Sequence, residues 1–195
     1  MIANMKPEIK ILKLLLGNKE EIFTIRKIAE RTDINYRIVY EKVKSLEKER
    51  LIKVTKTGNT KICQFANKFN DKVFKAEYER RQDLLSRNRD FLVLHKRLSE
   101  LQFPFVALLF GSHVKGKAKK HSDIDLLIVC EEKREREIQE VLDLFPLNIH
   151  PTFIRFEDFV TMLKTKEFSV VSEAIKNNII LIGIEDYYRL IGNIE

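Results

Sequence analysis

Apolar positions recur at helical spacing through the first third of the chain. In PEIKILKLLL, Ile9, Leu12 and Leu16 share one face and Gly17-Asn18 follows as a C-cap pair, which predicts a first helix. The segment TIRKIAERTDINYRIVYEKVKSLEKERL places Ile25, Ile28 and Ala29 on one face and breaks at Asp33. It then resumes with Ile38, Val39, Val43 and Leu46 as a buried stripe. Two helices joined by so short a turn predict a helix-turn-helix. In LIKVTKTGNTKICQF the period changes to two: Ile52 and Val54 alternate, the chain turns at Gly58-Asn59, and Ile62, Cys63 and Phe65 follow. A hairpin is expected there.

Residues 67–100 lack Gly and Pro and read as helical from about Lys68 to Leu101. Phe74, Tyr78, Leu84, Leu85, Phe91, Leu94 and Leu98 lie among dense charge, which predicts a connecting helix or helix pair. From residue 101 short apolar runs alternate with helical segments. FVALLF (105–110) and IDLLIVC (124–130) predict buried strands, EEKREREIQEVLDLF a helix, and LNIHPTFIRF (147–156) a third strand. Pro151 puts that strand at an edge or a bulge. Helices in EDFVTMLKTKEF and SVVSEAIKNN, a strand in IILIGI and a last helix in EDYYRLIG complete the pattern. The organisation is therefore 1–66, a helical linker 67–100, and an α/β part 101–195.

Composition adds a boundary and a polarity. A hydrophobic share of 44% with 33% charged residues excludes disordered and fibrous classes. No run is long enough to span a bilayer and the N-terminal residues lack a signal-peptide core, so a cytoplasmic protein without membrane contact is expected. Cys63 and Cys130 have no metal-type neighbours and are expected to be small buried residues. The charge is uneven. Residues 1–66 hold 15 Lys+Arg against 8 Asp+Glu, whereas residues 101–195 hold 12 against 15. Such asymmetry is expected where one part of a protein meets a polyanion and another part does different work.

The basic part offers a reader of duplex DNA. Asn35, Tyr36, Arg37, Tyr40 and Lys44 fall opposite the apolar stripe of the second helix of the helix-turn-helix. There Asn and Arg suit base edges, and Tyr and Lys suit phosphate. Lys56, Thr57, Asn59 and Lys61 gather at the hairpin tip, placed to touch flanking backbone. The stretch IAERTDINYRIVYEKVKSLEKERLIKV resembles the winged helix-turn-helix family of prokaryotic transcription regulators, with Asp33 where the family usually has Gly at the turn. That resemblance implies binding to double-stranded DNA, with a homodimer on a palindromic site as the common arrangement.

The chemistry concentrates in GSHVKGKAKKHSDIDLLIVC, residues 111–130. Gly111 lets a phosphate approach the backbone, Ser112 offers a hydroxyl and an N–H, and a helix starting there would add free N–H groups. Gly116 allows a turn, and Lys115, Lys117, Lys119 and Lys120 make the loop cationic. Asp123 and Asp125, two apart on a strand, present carboxylates to one face, which is costly unless a cation joins them. Mg²⁺ or Mn²⁺ suits such oxygens together with substrate phosphates.

The register of Gly111, Ser112, Gly116, Ala118, Ser122, Asp123 and Asp125 resembles the motif of the minimal nucleotidyltransferases of the DNA polymerase β-like superfamily, over roughly residues 101–195. The resemblance implies that Gly111, Ser112, Lys115, Gly116 and Ser122 hold a nucleoside triphosphate and that Asp123 and Asp125 hold the metals and carry catalysis. The implied reaction is transfer of a nucleoside monophosphate to an acceptor hydroxyl with release of pyrophosphate. His113 and Lys115 stand where the family has arginines. Active members place a third carboxylate on the next strand, yet no acidic residue occurs here between Asp143 and Glu157. That strand offers Asn148, His150 and Thr152 instead, and His150 is either a proton acceptor or a packed structural residue.

The expected fold class is thus α+β: an N-terminal winged helix-turn-helix, a helical linker, and a nucleotidyltransferase-like α/β domain with a small mixed sheet. The expected function is Mg²⁺-dependent nucleotidyl transfer by a DNA-binding protein. The alternative is a transcriptional regulator or antitoxin-like protein that binds nucleotide without turnover. Relatives of such minimal domains pair with small toxin-like proteins, which makes a protein of that kind a candidate acceptor.

Overall fold

The structure, a computed structural model, describes residues 5–58, 60–119, 122–165 and 170–192. Asn59 and Lys120, both expected to contribute cationic or polar contacts at loop tips, lie outside the described residues. The chain is mixed α+β and forms two compact units, Met1–Glu79 and Arg80–Glu195. No described helix is long and apolar enough to cross a membrane.

In the first unit, α1 (Pro7–Leu16) starts with Pro at its first turn, where a missing N–H is harmless, and buries Ile9, Ile11, Leu12, Leu15 and Leu16. Gly17 caps it at the expected place, in right-handed conformation (φ −78°), and the Asn18 side chain donates 2.8 Å to the Leu14 carbonyl. After β1 (Phe23–Thr24), the Thr24 hydroxyl accepts from the Lys27 N–H and caps α2 (Ile25–Thr32). Asp33 ends α2 at φ 53°, adopting the left-handed turn in place of glycine. α3 (Tyr36–Lys48) then buries Val39, Val43 and Leu46 against α1 and α2. Ile38 does not join that stripe. It is 42% exposed, because its position on α3 turns it past the edge of the packed face. β2 (Ile52–Thr57) and β3 (Thr60–Phe65) form the expected hairpin, and the sheet runs β1-β3-β2, all antiparallel.

The helical stretch after the hairpin is two helices, α4 (Asp71–Arg87) and α5 (Arg89–Ser99). The break falls at Asn88, whose backbone is extended (φ −139°, ψ 110°) and whose side chain accepts from the N–H groups of Asp90 and Phe91. An Asn competing for these donors starts a new helix where apolar periodicity alone suggests continuity. The boundary between the two units falls inside α4.

The second unit is built on a four-stranded mixed sheet. Its strands are β4 (Val106–Phe110), β5 (Ile124–Val129), β6 (Ile149–Ile154) and β7 (Ile179–Ile182), in the order β6-β5-β4-β7. β5 pairs antiparallel with β4 and parallel with β6, and β4 pairs antiparallel with β7. Pro151 lies on the edge strand β6, where a missing ladder donor is tolerated. Central β4 is buried at every position, which explains its unbroken apolar run. A 3-10 turn (Glu132–Arg134) leads into α6 (Glu135–Leu142), and α7 (Phe156–Thr165), α8 (Val170–Lys176) and α9 (Ile184–Gly192) complete the unit. Phe91, Leu94 and Leu98 of α5 enter one core with Leu109, Leu126, Ile128, Ile138 and Leu142. The guanidiniums of Arg80 and Arg81, midway along α4, donate to the carbonyls of Asn178 and Leu181. Both cysteines are buried free thiols, each pushed up to about 11 by burial.

Asn88→Ala removes the cap that begins α5. It should destabilise the second unit by about 1 kcal/mol, read as a lower urea midpoint at unchanged slope.

Candidate functional site

Strand register decides where the chemistry gathers in the second unit. Phe110 at the end of β4 lies opposite Asp125 of β5, so the residue that follows, Gly111, leaves the sheet beside the Asp125 side chain. Gly111 has φ +74°, and a Cβ built on it would stand 2.1 Å from Asp125 Oδ2. Only glycine fits, for both reasons. Residues 111–116 then form a tight turn and not the helix start allowed by the sequence. The Lys115 N–H donates to the Gly111 carbonyl (3.2 Å) and the Lys117 N–H to the Ser112 carbonyl (3.0 Å).

The far end of the loop is closed locally. Ser122 Oγ accepts from the Lys119 N–H (2.8 Å), and the Ser122 N–H donates to the Lys119 carbonyl (3.1 Å). The His113 Nε2–H donates to the Ser122 carbonyl at 3.2 Å, since a carbonyl can only accept, and this fixes the tautomer. Phe91 meets the His113 ring edge to face at 5.3 Å, so α5 steadies the clasp. Gly116 (φ +66°) has open space around its missing Cβ and serves the turn.

Asp123 lies exposed just before β5, and Asp125 is half-buried within it. Asp123 Oδ1 accepts from the Asn148 side-chain amide, and Asn148 Oδ1 accepts from the His150 Nε2–H at 3.2 Å. His150 stands opposite Asp125 in the parallel β5–β6 register, at the place where an acid was absent from the sequence. The Asp125 carboxyl is held above the usual aspartate range. Burial is the main cause and the charges of Asp123 and Glu173 add to it, while His150 and His113 oppose.

Glu173 was not among the sequence candidates. It sits on α8 with Oε1 2.7 Å from Lys115 Nζ, tying the loop to a helix 58 residues later. Nothing in SVVSEAIK distinguishes this glutamate from a solvent-facing one.

The donor set suits a hard divalent cation. Asp123 and Asp125 supply carboxylate oxygens, and a partly desolvated pair of like charges is relieved by such an ion. Among the described residues no three His, Cys, Asp or Glu side chains surround a common point. A cation held by Asp123 and Asp125 would have its other positions open to water and phosphate, which Mg²⁺ accepts.

In the first unit, α3 and the hairpin bring a second group of predicted residues together. The Asn35 side chain accepts from the Arg37 N–H (2.9 Å) and so caps α3, which ties up part of its hydrogen-bonding capacity. Tyr36 is 54% exposed, and Arg37 pairs with Glu41 at 3.4 Å on the open face. Tyr40 lies beneath Lys44 and Lys61, whose ammonium groups stand 4.9 and 5.0 Å from its ring. Its phenol is held below the ordinary tyrosine value, chiefly by the hydrogen bond with Lys44. Lys61 also faces Lys56 directly across the hairpin. Like charges in that relation repel, and among the described residues no carboxylate pairs with Lys44, Lys56 or Lys61.

Residues 93–187 match the family described as Polymerase beta, Nucleotidyltransferase. The matched stretch holds the sheet, the glycine-serine loop and both aspartates. Over this stretch the second unit is similar to the polymerase β-like nucleotidyltransferases, a family named for nucleotidyl transfer. The match leaves the helices and hairpin of the first unit outside it. The chain is also similar to the probable protein adenylyltransferase MntA of Haemophilus influenzae, 41% identical over 46 residues, which is 24% of this chain and 40% of that protein. It thus spans less than half the length of that relative. No solved structure matches the chain significantly.

A carboxyl whose pKa is raised by folding contributes stability below the unfolded value, and this is lost as pH rises through the folded value. Ionised Asp125 therefore opposes folding near neutrality. Asp125→Asn should raise the thermal midpoint of the metal-free protein at about pH 7, with the advantage shrinking toward about pH 3. Added Mg²⁺ should raise the wild-type midpoint and leave that of the variant nearly unmoved.

Proposed function

We propose that the chain is a Mg²⁺-dependent nucleotidyltransferase carried to double-stranded DNA by an N-terminal winged helix, acting in the cytoplasm. The observation that carries the enzymatic part is the contact between Gly111 and Asp125. A backbone open to phosphate and a carboxylate suited to a metal meet at one point. Gly111, Ser112 and Lys115 hold the triphosphate, Gly116 and Ser122 shape the loop around it, and Asp123 and Asp125 hold the ion. When bound, Mg²⁺ supplies neutralisation of phosphate charge. The acceptor hydroxyl oxygen bonds to the α-phosphorus, the bond from that phosphorus to the bridging oxygen of the β-phosphate breaks, and pyrophosphate leaves. The hydroxyl proton passes to solvent. MntA is named as a protein adenylyltransferase, which supports a protein side chain as acceptor and ATP as donor, and a small toxin-like protein is the partner class that fits.

The DNA-binding part rests on Tyr40, Lys44 and Lys61. Two ammonium groups converge on one phenol without a carboxylate between them, and Lys56 adds a third charge across the hairpin. A backbone phosphate satisfies all of these, while Asn35, Tyr36 and Arg37 at the start of α3 are available to base edges.

A second reading is favoured by His150 on β6 and Asn148 just before it, which stand where an acid would complete the carboxylate set. In that reading nucleotide binds without turnover and DNA occupancy responds to it.

Incubation of the protein with labelled nucleoside triphosphates, Mg²⁺ and candidate protein acceptors should release pyrophosphate. Asp123→Asn should lower the rate by at least about a hundredfold. Binding without release in every combination would favour the second reading, and absence of binding would defeat both. For the first unit, affinity for random duplex should fall steeply with salt. Lys44→Gln with Lys61→Gln should reduce the slope of log K against log salt by about 2. A flat wild-type response would rule out the DNA reading.

A further inference from the structure

Glu173 is a charged group at the glycine-serine loop without a role in the reaction as proposed. α8 sets its carboxylate 2.7 Å from the Lys115 ammonium. The Lys115 N–H donates to the Gly111 carbonyl, which closes the turn, and Gly111 abuts Asp125. The negative charge of Glu173 is also felt at Asp125. An anion is therefore already present at the cation that faces the phosphate-binding turn.

The pair is weak by construction. Lys115 is 37% and Glu173 41% exposed, so water screens their attraction and the contact is easily exchanged. A carboxylate carries one charge. The polyphosphate of a nucleoside triphosphate carries several, with more acceptor oxygens for the same ammonium.

We propose that Glu173 is the resident anion of Lys115: without nucleotide its carboxylate occupies the ammonium, and the polyphosphate of an incoming nucleotide displaces it. This rests on the reading of Lys115 as a phosphate-binding residue. Glu173 then sets nucleotide affinity by competition. It also narrows the preference for longer phosphate chains, since a ligand whose phosphates do not reach Lys115 is not held back by Glu173 and gains nothing from its removal.

The test is calorimetric titration of the full chain with ATP and with AMP, in Mg²⁺ at low salt. It compares wild type with Glu173→Gln, Lys115→Met and the double variant. Glu173→Gln should bind ATP about two- to fivefold more tightly, the range that a surface ion pair can supply, with AMP changed less. Lys115→Met should weaken ATP, and adding Glu173→Gln to it should bring no gain. Unchanged or weaker ATP binding by Glu173→Gln would overturn the proposal, as would a gain that persists beside Lys115→Met, which would make Glu173 a diffuse charge. Failure of both wild type and Glu173→Gln to bind ATP would overturn the nucleotide reading itself and the role of Glu173 with it. Wild-type binding without the predicted gain removes only the competition.

Discussion

The second unit depends on how closely a strand end can approach a neighbouring carboxylate. β4 and β5 pair so that Phe110 faces Asp125, and the chain can leave the sheet there only if the next residue has no side chain. Everything distinctive about the site follows from that crowding. Gly111 takes a left-handed turn, the loop curls over itself through Lys115 and Lys117, and both aspartates are carried on the adjacent strand and its lead-in. Burial of the flanking strands makes the arrangement stiff. β4 is covered along its whole length, so the residues at its tip have little freedom to relax. The cost appears at Asp125, which is less willing to ionise than an ordinary aspartate.

Much of this was legible in the sequence because it follows rules of short range. Alternation places Asp123 and Asp125 together, an unbroken apolar run marks the central strand, and Pro151 marks an edge. The hairpin turn and the left-handed Asp33 are likewise local. The rest lay where two local signals compete or where only tertiary packing decides. Asn88 interrupts a periodic apolar pattern because its side chain captures two backbone donors. Ile38 has the composition of a core residue and the position of an edge one. Glu173 reaches the loop through the packing of α8, and no pattern in a sequence fixes that distance.

The two units manage charge in opposite ways. Around the glycine-serine loop cations and carboxylates interleave, so Lys115 meets Glu173 and the aspartates lie beside the histidines. On the face of α3 and the hairpin, like charges are held near one another around Tyr40 without carboxylate partners among the described residues. A small, highly charged ligand with its own metal suits the first pattern, and an extended polyanion the second. That division matches the excess of basic residues in the first 66 positions and its reversal after residue 100.

The amide of Asn148 touches Asp123, and an aspartate at that position would differ from it only by exchange of an amino group for an oxygen. The change would place the acid that the strand lacks, yet it would also turn a donor that now satisfies Asp123 into a like charge at contact distance. A bound cation would then offset a repulsion that the present arrangement does not have. The present amide satisfies Asp123 without any ion, whereas an acid in its place would tie part of the domain's stability to a bound cation.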